Sequence, residues 1–115
     1  PSVVFTNVIN PRSHVSRKSE YKDTVVYKGA TLGANSTIVC GNIIGSYAFV
    51  GAGTVVTKNI KPYALVVGNS NRQVGWMTRD GNRLDLPVKT EGRLKRYDGD
   101  YRYTLEGTNL MCDEI

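Results

Sequence analysis

Five polar side chains in the first 72 residues have types that could do chemistry. Asn7, in the pair Thr6-Asn7, carries a carboxamide that accepts from an amine or donates to developing negative charge. Arg12 follows Asn10-Pro11. His14 is the only histidine, a residue type that can serve as a general base. Lys58 and Arg72 are cations able to pair with phosphate, and a planar guanidinium also stacks on flat rings. Beside them stand the small residues Gly33, Ala34, Ala52 and Gly53, where a thin ligand can run close to backbone donors and acceptors. Each has a plainer reading. Asn7 serves a turn or an internal ladder, His14 sits on a loop surface, the cations are solvated, and the glycines serve tight turns.

The elements that must hold these groups follow from one period. Aliphatic residues recur at every sixth position: Val26, Leu32, Ile38, Ile44, Val50 and Val56. Two places before each of the last five sits a small or compact polar residue: Ala30, Ser36, Asn42, Ala48, Thr54. Alternate residues of a strand share a face, so each such pair points one way and the residue between them points the other. Turn formers recur in each unit. A helix requires a period near 3.6, and a hairpin alternates for longer before turning. A six-residue step with glycine turns predicts a parallel β-helix; a meander of short antiparallel strands is the alternative, but hairpins enforce no such step. Three units make one eighteen-residue coil, so residues 26–43 stack under 44–61. Phe49 then lies over Thr31, Val55 over Thr37 and Ile43 over Val25. Several of these outward residues are apolar, and a subunit interface is their natural cover.

With 115 residues the chain suffices for one domain. Net charge is +5, but the cations are scattered without the aromatic pattern of nucleic-acid binders, so no nucleic-acid partner is expected. A local site for phosphorylated ligands is the more useful reading of the charge. No apolar run approaches a membrane span and no signal peptide is visible, which points to a cytoplasmic protein without a membrane partner. Cys40 and Cys112 are expected to be free thiols.

Along the chain, Phe5 holds an aliphatic position with Val3 two places before it. Pro1 then falls in mid-repeat, and the expectation is that earlier coils are missing from this end or that another chain or loop covers it. The repeat fails over about 11–24, a polar stretch expected to project as a loop. It ends at Lys61-Pro62-Tyr63, and Ala64 to Asn69 forms a last apolar strand. Beyond Arg72 short antiparallel strands with turns at Asp80-Gly81 and Asp98-Gly99 are expected. The domain reading is therefore 1–75 for the β-helix and 76–115 for a small hairpin extension. Trp76 reads as packing.

The repeat followed by KPYALVVGNSNRQVG resembles the left-handed β-helix acyltransferases. The opening VFTNVINPRS, with GATLGANSTIVCG and YAFVGAGTVVTKNIKPYALVVGN, is similar to the nucleotide-3-aminosugar N-acetyltransferases, above all those acting on UDP-2-acetamido-3-amino-2,3-dideoxyglucuronate. The resemblance covers roughly residues 1–77. It implies a left-handed coil, a homotrimer, acetyl-coenzyme A lying between neighbouring prisms, and a nucleotide-sugar acceptor in bacterial surface polysaccharide synthesis. It places Asn7 near the reacting amine, Arg12 near the nucleotide-sugar, the coenzyme A arm along Gly33, Ala34, Ala52 and Gly53, and its phosphates or adenine against Lys58 and Arg72. This subfamily works without a histidine base, which leaves His14 as a catalytic candidate from the wider superfamily only. Two departures stand out. The usual GNPAR is GNSNR, and Ser70-Asn71 is expected to loosen that turn. Paired cysteines carried by the tail of some relatives are replaced around 77–80 and 97–100, so no metal is expected.

The sequence thus predicts an all-β chain, a left-handed parallel β-helix with a small antiparallel tail, that N-acetylates a nucleotide-linked 3-amino sugar from acetyl-coenzyme A. A catalytically inactive trimeric scaffold or coenzyme A binder is the alternative. A metal-dependent hydratase on the same fold requires about three histidines per site, which one histidine per chain fits poorly.

Overall fold

The computed structural model describes residues 1–8, 13, 16, 19 and 21–115. Seven strands of two residues come first: β1 (Val4–Phe5), β2 (Val25–Val26), β3 (Thr31–Leu32), β4 (Thr37–Ile38), β5 (Ile43–Ile44), β6 (Phe49–Val50) and β7 (Val55–Val56). Six more follow: β8 (Ala64–Val67), β9 (Arg72–Met77), β10 (Arg83–Leu84), β11 (Arg93–Asp98), β12 (Tyr101–Glu106) and β13 (Asn109–Glu114). The architecture is all-β, with no α-helix among the described residues.

The short strands pair in parallel at the predicted interval. Val25 lies opposite Ile43, Thr31 opposite Phe49 and Thr37 opposite Val55, each eighteen residues on. Three parallel stacks result: β1-β4-β7, β2-β5 and β3-β6-β8. β1 joins β4 directly, Val4 against Thr37, and the Lys22 amide donates to the Asn7 carbonyl at 3.0 Å. The two ends of the irregular segment therefore meet at one neck beside the first stack.

Each strand is short because a left-handed residue turns the chain. These too recur at every sixth position: Gly29, Asn35, Gly41, Tyr47 and Gly53, with φ between 58° and 85°. Glycine and asparagine take that region at least cost. The next residue is the small inward one, and its side chain ties the corner. Ser36 Oγ donates to the Gly33 carbonyl at 2.8 Å, Asn42 Nδ2 to Val39 at 2.7 Å and Thr54 Oγ1 to Gly51 at 2.7 Å. A compact polar group is buried there without penalty because its hydrogen bond is made. Inside, Ile38, Ile44, Val50 and Val56 are fully buried. At the β1–β2 end the inward Phe5 and Val26 stay exposed, and on the outside so do Val25 and Ile43.

The last step departs from the expected 44–61 coil. Ile60 bridges Ile44, and Val66 pairs with Val50, both sixteen residues on. The corner between Val56 and Ile60 is two residues shorter than that between Ile38 and Ile44, and Tyr63 (φ 64°) takes the left-handed place sixteen residues after Tyr47. Below it β9 runs antiparallel to β8, passing across position 75, and β10 to β9. Trp76 is fully buried and its Nε1 donates to the Pro87 carbonyl at 2.8 Å, a packing role. The expectation that Ser70-Asn71 loosens the turn is overturned. Asn71 is 2% exposed; its amide donates to the Val55 carbonyl, its Oδ1 accepts from Thr57 N–H at 2.9 Å and its Nδ2 donates to the Lys58 carbonyl at 3.3 Å. One residue thus satisfies the open edge of β7, which an alanine side chain could not do.

β11, β12 and β13 form an antiparallel meander. Its hairpins close at Asp98–Tyr101 and Glu106–Asn109 around Gly99 and Gly107, both left-handed. The sheet docks on the Tyr47–Tyr63 corner. Those two rings stack at 5.5 Å and Tyr103 meets Tyr63 edge-on at 5.8 Å. The Arg79 guanidinium lies 4.8 Å from the Tyr47 ring centre and 4.6 Å from that of Tyr101. Among the described residues no helix is long and apolar enough to cross a membrane.

Candidate functional site

The predicted residues that the structure describes all border the β1-β4-β7 stack. Asn7 leaves β1, Gly33-Ala34 leads into β4, Ala52-Gly53 leads into β7, Lys58 leaves β7, and Arg72 opens β9 beneath it. Arg12 and His14 lie outside the described residues. The outward groups of this face are Val4, Thr37 and Val55.

Asn7 has an exposed side chain. The residue before it is held: Thr6 Oγ1 accepts from the amide of buried Cys40 at 3.0 Å, and Thr6 N–H donates to Ile38. The carboxamide thus projects from a fixed backbone beside the loop neck. Cys40 and Cys112 are both free thiols.

The four small residues do different things. A Cβ on Gly33 would stand 2.6 Å from Ala52 N and from Val50 O. Its missing side chain therefore serves the contact between successive corners. Gly53 has open space around the same position but φ +71°, so there the left-handed backbone favours glycine. Ala52 and Gly53 are exposed and Ala34 half-buried, and Gly53 N–H donates to Ala34 O at 2.8 Å. These three present the smooth outer surface of the corner.

Lys58 and Arg72 are exposed, and neither belongs to an ion pair among the described residues. Asn71 connects them: it precedes Arg72 in the chain and holds the Lys58 carbonyl with its side chain. Arg72 Nη1 lies over Gly68, where a Cβ would approach to 2.8 Å.

Sequence reasoning missed two groups. Asn71 read only as a departure, because its role depends on the unpaired edge above it. The Tyr47, Tyr63, Arg79, Tyr101, Tyr103 cluster went unnoticed, although Tyr47 in a left-handed place of the period was a visible signal. Burial there pushes Tyr103 up to about 12, against a lowering from the Arg79 amide that bonds its hydroxyl. Burial also raises Tyr63, while the Tyr63 hydroxyl raises Arg79 and keeps it charged. The turns replacing the tail's cysteines are joined by Asn82 Nδ2 to Asp98 Oδ2 at 3.3 Å. Among the described residues no three His, Cys, Asp or Glu side chains cluster as metal ligands.

No family model matches the chain. Over 61 residues it is 56% identical to the dTDP-3-amino-3,6-dideoxy-alpha-D-galactopyranose 3-N-acetyltransferase of Aneurinibacillus thermoaerophilus, covering 53% of this chain and 32% of that protein. The match thus spans about a third of that relative's length. Among solved structures, a maltose O-acetyltransferase from Clostridium difficile 630 superposes with TM-score 0.58 at 28% identity, over 68% of this chain and 43% of that one. A galactoside acetyltransferase in complex with coenzyme A gives TM-score 0.60 at 24% identity, over 78% and 48%. The chain is therefore similar to acetyltransferases, one of them named for a nucleotide-linked 3-amino sugar.

Proposed function

We propose that this chain carries the site of an acetyl-coenzyme A-dependent N-acetyltransferase for the 3-amine of a nucleotide-linked sugar. The observation that carries the reading is the similarity, over 61 residues, to the Aneurinibacillus enzyme, whose name specifies that chemistry. The proposed frame is a left-handed parallel β-helix over residues 1–75, assembled as a homotrimer through its exposed apolar flanks, with 76–115 as an extension. A cytoplasmic place and a role in surface polysaccharide synthesis belong to the same proposal.

The chemistry requires placement more than activation. A neutral amine attacks a thioester readily once held beside it. The new C–N bond forms as the C–S bond breaks, and the proton lost by the amine goes to the departing coenzyme A sulfur. Asn7 accepts a hydrogen bond from the attacking amine and so aims its lone pair. The pantetheine arm runs along Ala34, Ala52 and Gly53 toward Lys58 and Arg72, which hold the phosphates, and Arg12 contacts the nucleotide. His14 is a secondary candidate for the base. No metal enters this scheme.

The test is a thiol-release assay with acetyl-coenzyme A and a panel of UDP- and dTDP-3-amino sugars. Release with a UDP-3-aminoglucuronate supports the finer substrate assignment, and release with a dTDP sugar alone moves it to that nucleotide. Saturable coenzyme A binding without release from any sugar would make the chain a scaffold instead.

A further inference from the structure

Asn71 does the work of a missing strand. β7 is the last strand of its stack: below it the chain makes one parallel bridge, Val55 with Asn69, and among the described residues no strand continues below Thr57 and Lys58. The Asn71 backbone takes the Val55 carbonyl, and its side chain supplies one acceptor to Thr57 N–H and one donor to the Lys58 carbonyl. A carboxamide has the same donor and acceptor as a peptide group, so it completes the ladder at that edge. It is 2% exposed, and each of these bonds is made away from competing water.

The two residues whose backbone this arrangement anchors are both cationic. Lys58 is gripped through its own carbonyl, and Arg72 follows Asn71 directly. On this basis we infer that Asn71 is a positioning residue for the anionic end of the coenzyme: it presents Lys58 and Arg72 together to the phosphates. The inference rests on the reading that these cations hold coenzyme A. An anionic ligand gains from two cations only when both are held at the spacing of its phosphates, because ordering free side chains upon binding costs affinity.

The experiment is isothermal titration of coenzyme A into the full chain and into the variants Lys58→Ala, Arg72→Ala, Asn71→Ala and Asn71→Asp, at low and high salt. The expected result for Asn71→Ala is a Kd raised by roughly tenfold with a shallower salt dependence, at unchanged stoichiometry. A merely structural loss would lower the number of sites and leave the Kd of the folded remainder alone. Asn71→Asp keeps the acceptor for Thr57 and loses the donor to Lys58; it should also bind more weakly, and it supplies the comparison if the alanine variant does not fold. Wild-type protein without saturable binding defeats the coenzyme A reading and this inference with it. Binding that Lys58→Ala and Arg72→Ala leave untouched removes the cations and, with them, the role of Asn71. Weakening by both of those but by neither Asn71 variant overturns the positioning role alone.

Discussion

Gly33 and Gly53 occupy adjacent levels of one corner, yet the structure assigns them opposite reasons for being glycine, and replacing each by alanine separates the two. On Gly33 the added methyl meets Ala52 N and Val50 O at 2.6 Å and Gly51 C at 2.7 Å. These are backbone atoms of the next level, held by the Gly33 N–H bond to Val50 O at 2.8 Å, so no side chain can swing away. Overpacking against backbone belongs at the upper end of its usual range, about 3 kcal/mol. On Gly53 the methyl meets nothing within 4 Å, and the cost is the left-handed backbone at φ +71°. That is about 1–2 kcal/mol, reduced by the entropy alanine removes from the unfolded chain to about 1 kcal/mol. At roughly 4 °C per kcal/mol for a domain of this size, Gly33→Ala should lower the melting temperature by about 12 °C and Gly53→Ala by about 4 °C. Circular dichroism melts of the two variants provide the assay. A Gly33→Ala protein melting within about 3 °C of wild type, with coenzyme A affinity lost, would refute the packing argument and return Gly33 to the ligand.

Asn7→Ala should cut turnover by about a hundredfold or more at unchanged melting temperature, since its side chain is exposed and, among the described residues, only its carbonyl bonds the fold; steady-state kinetics beside a thermal melt check both halves. His14→Asn should acetylate within about twofold of wild type, and a loss of about a hundredfold would restore it as the base. Thr54→Val keeps the shape but removes the 2.7 Å donor to the Gly51 carbonyl, which retains the Thr54 N–H at 3.3 Å, at a cost of about 0.5–1.5 kcal/mol in chemical denaturation. Stability should also fall in alkali. Burial raises the folded pKa of Tyr103 from 10.0 to about 12, so the unfolded chain loses this proton first; the stabilisation is whole below pH 10, declines up to about 12, and amounts to about 2–3 kcal/mol. Tyr103→Phe should flatten that decline in melts across the alkaline range.

How far the residues announced the structure depends on the range of the interaction that decides each one. The inward aliphatic series was readable because every level repeats the same local problem, and Ser36, Asn42 and Thr54 each solve it within three residues by bonding their own corner. The pairing of Thr37 with Val55 followed from counting alone. The sixteen-residue step at Ile60 did not, because it comes from Thr57-Lys58-Asn59, a corner two residues short with no local signal; Tyr63 then resumes the regular place beneath Tyr47. The candidate site divides the same way. Its small residues and cations were visible as types, but Gly33 proved to be spoken for by Ala52 of the next level.

Asn71 shows why the remainder was hidden. Read locally, an asparagine in place of a turn alanine loosens the chain. Its actual value is set by three groups, Val55 O, Thr57 N–H and Lys58 O, that are unsatisfied only because the stack ends there. Inside a longer stack the same residue would have no such partners to serve. A side chain acquires its function here from the vacancy beneath a strand thirteen to sixteen places earlier. Ends of repetitive folds are therefore where a departure from the family pattern carries the most structural information, and here that end also bears the two cations on which the proposed coenzyme site depends.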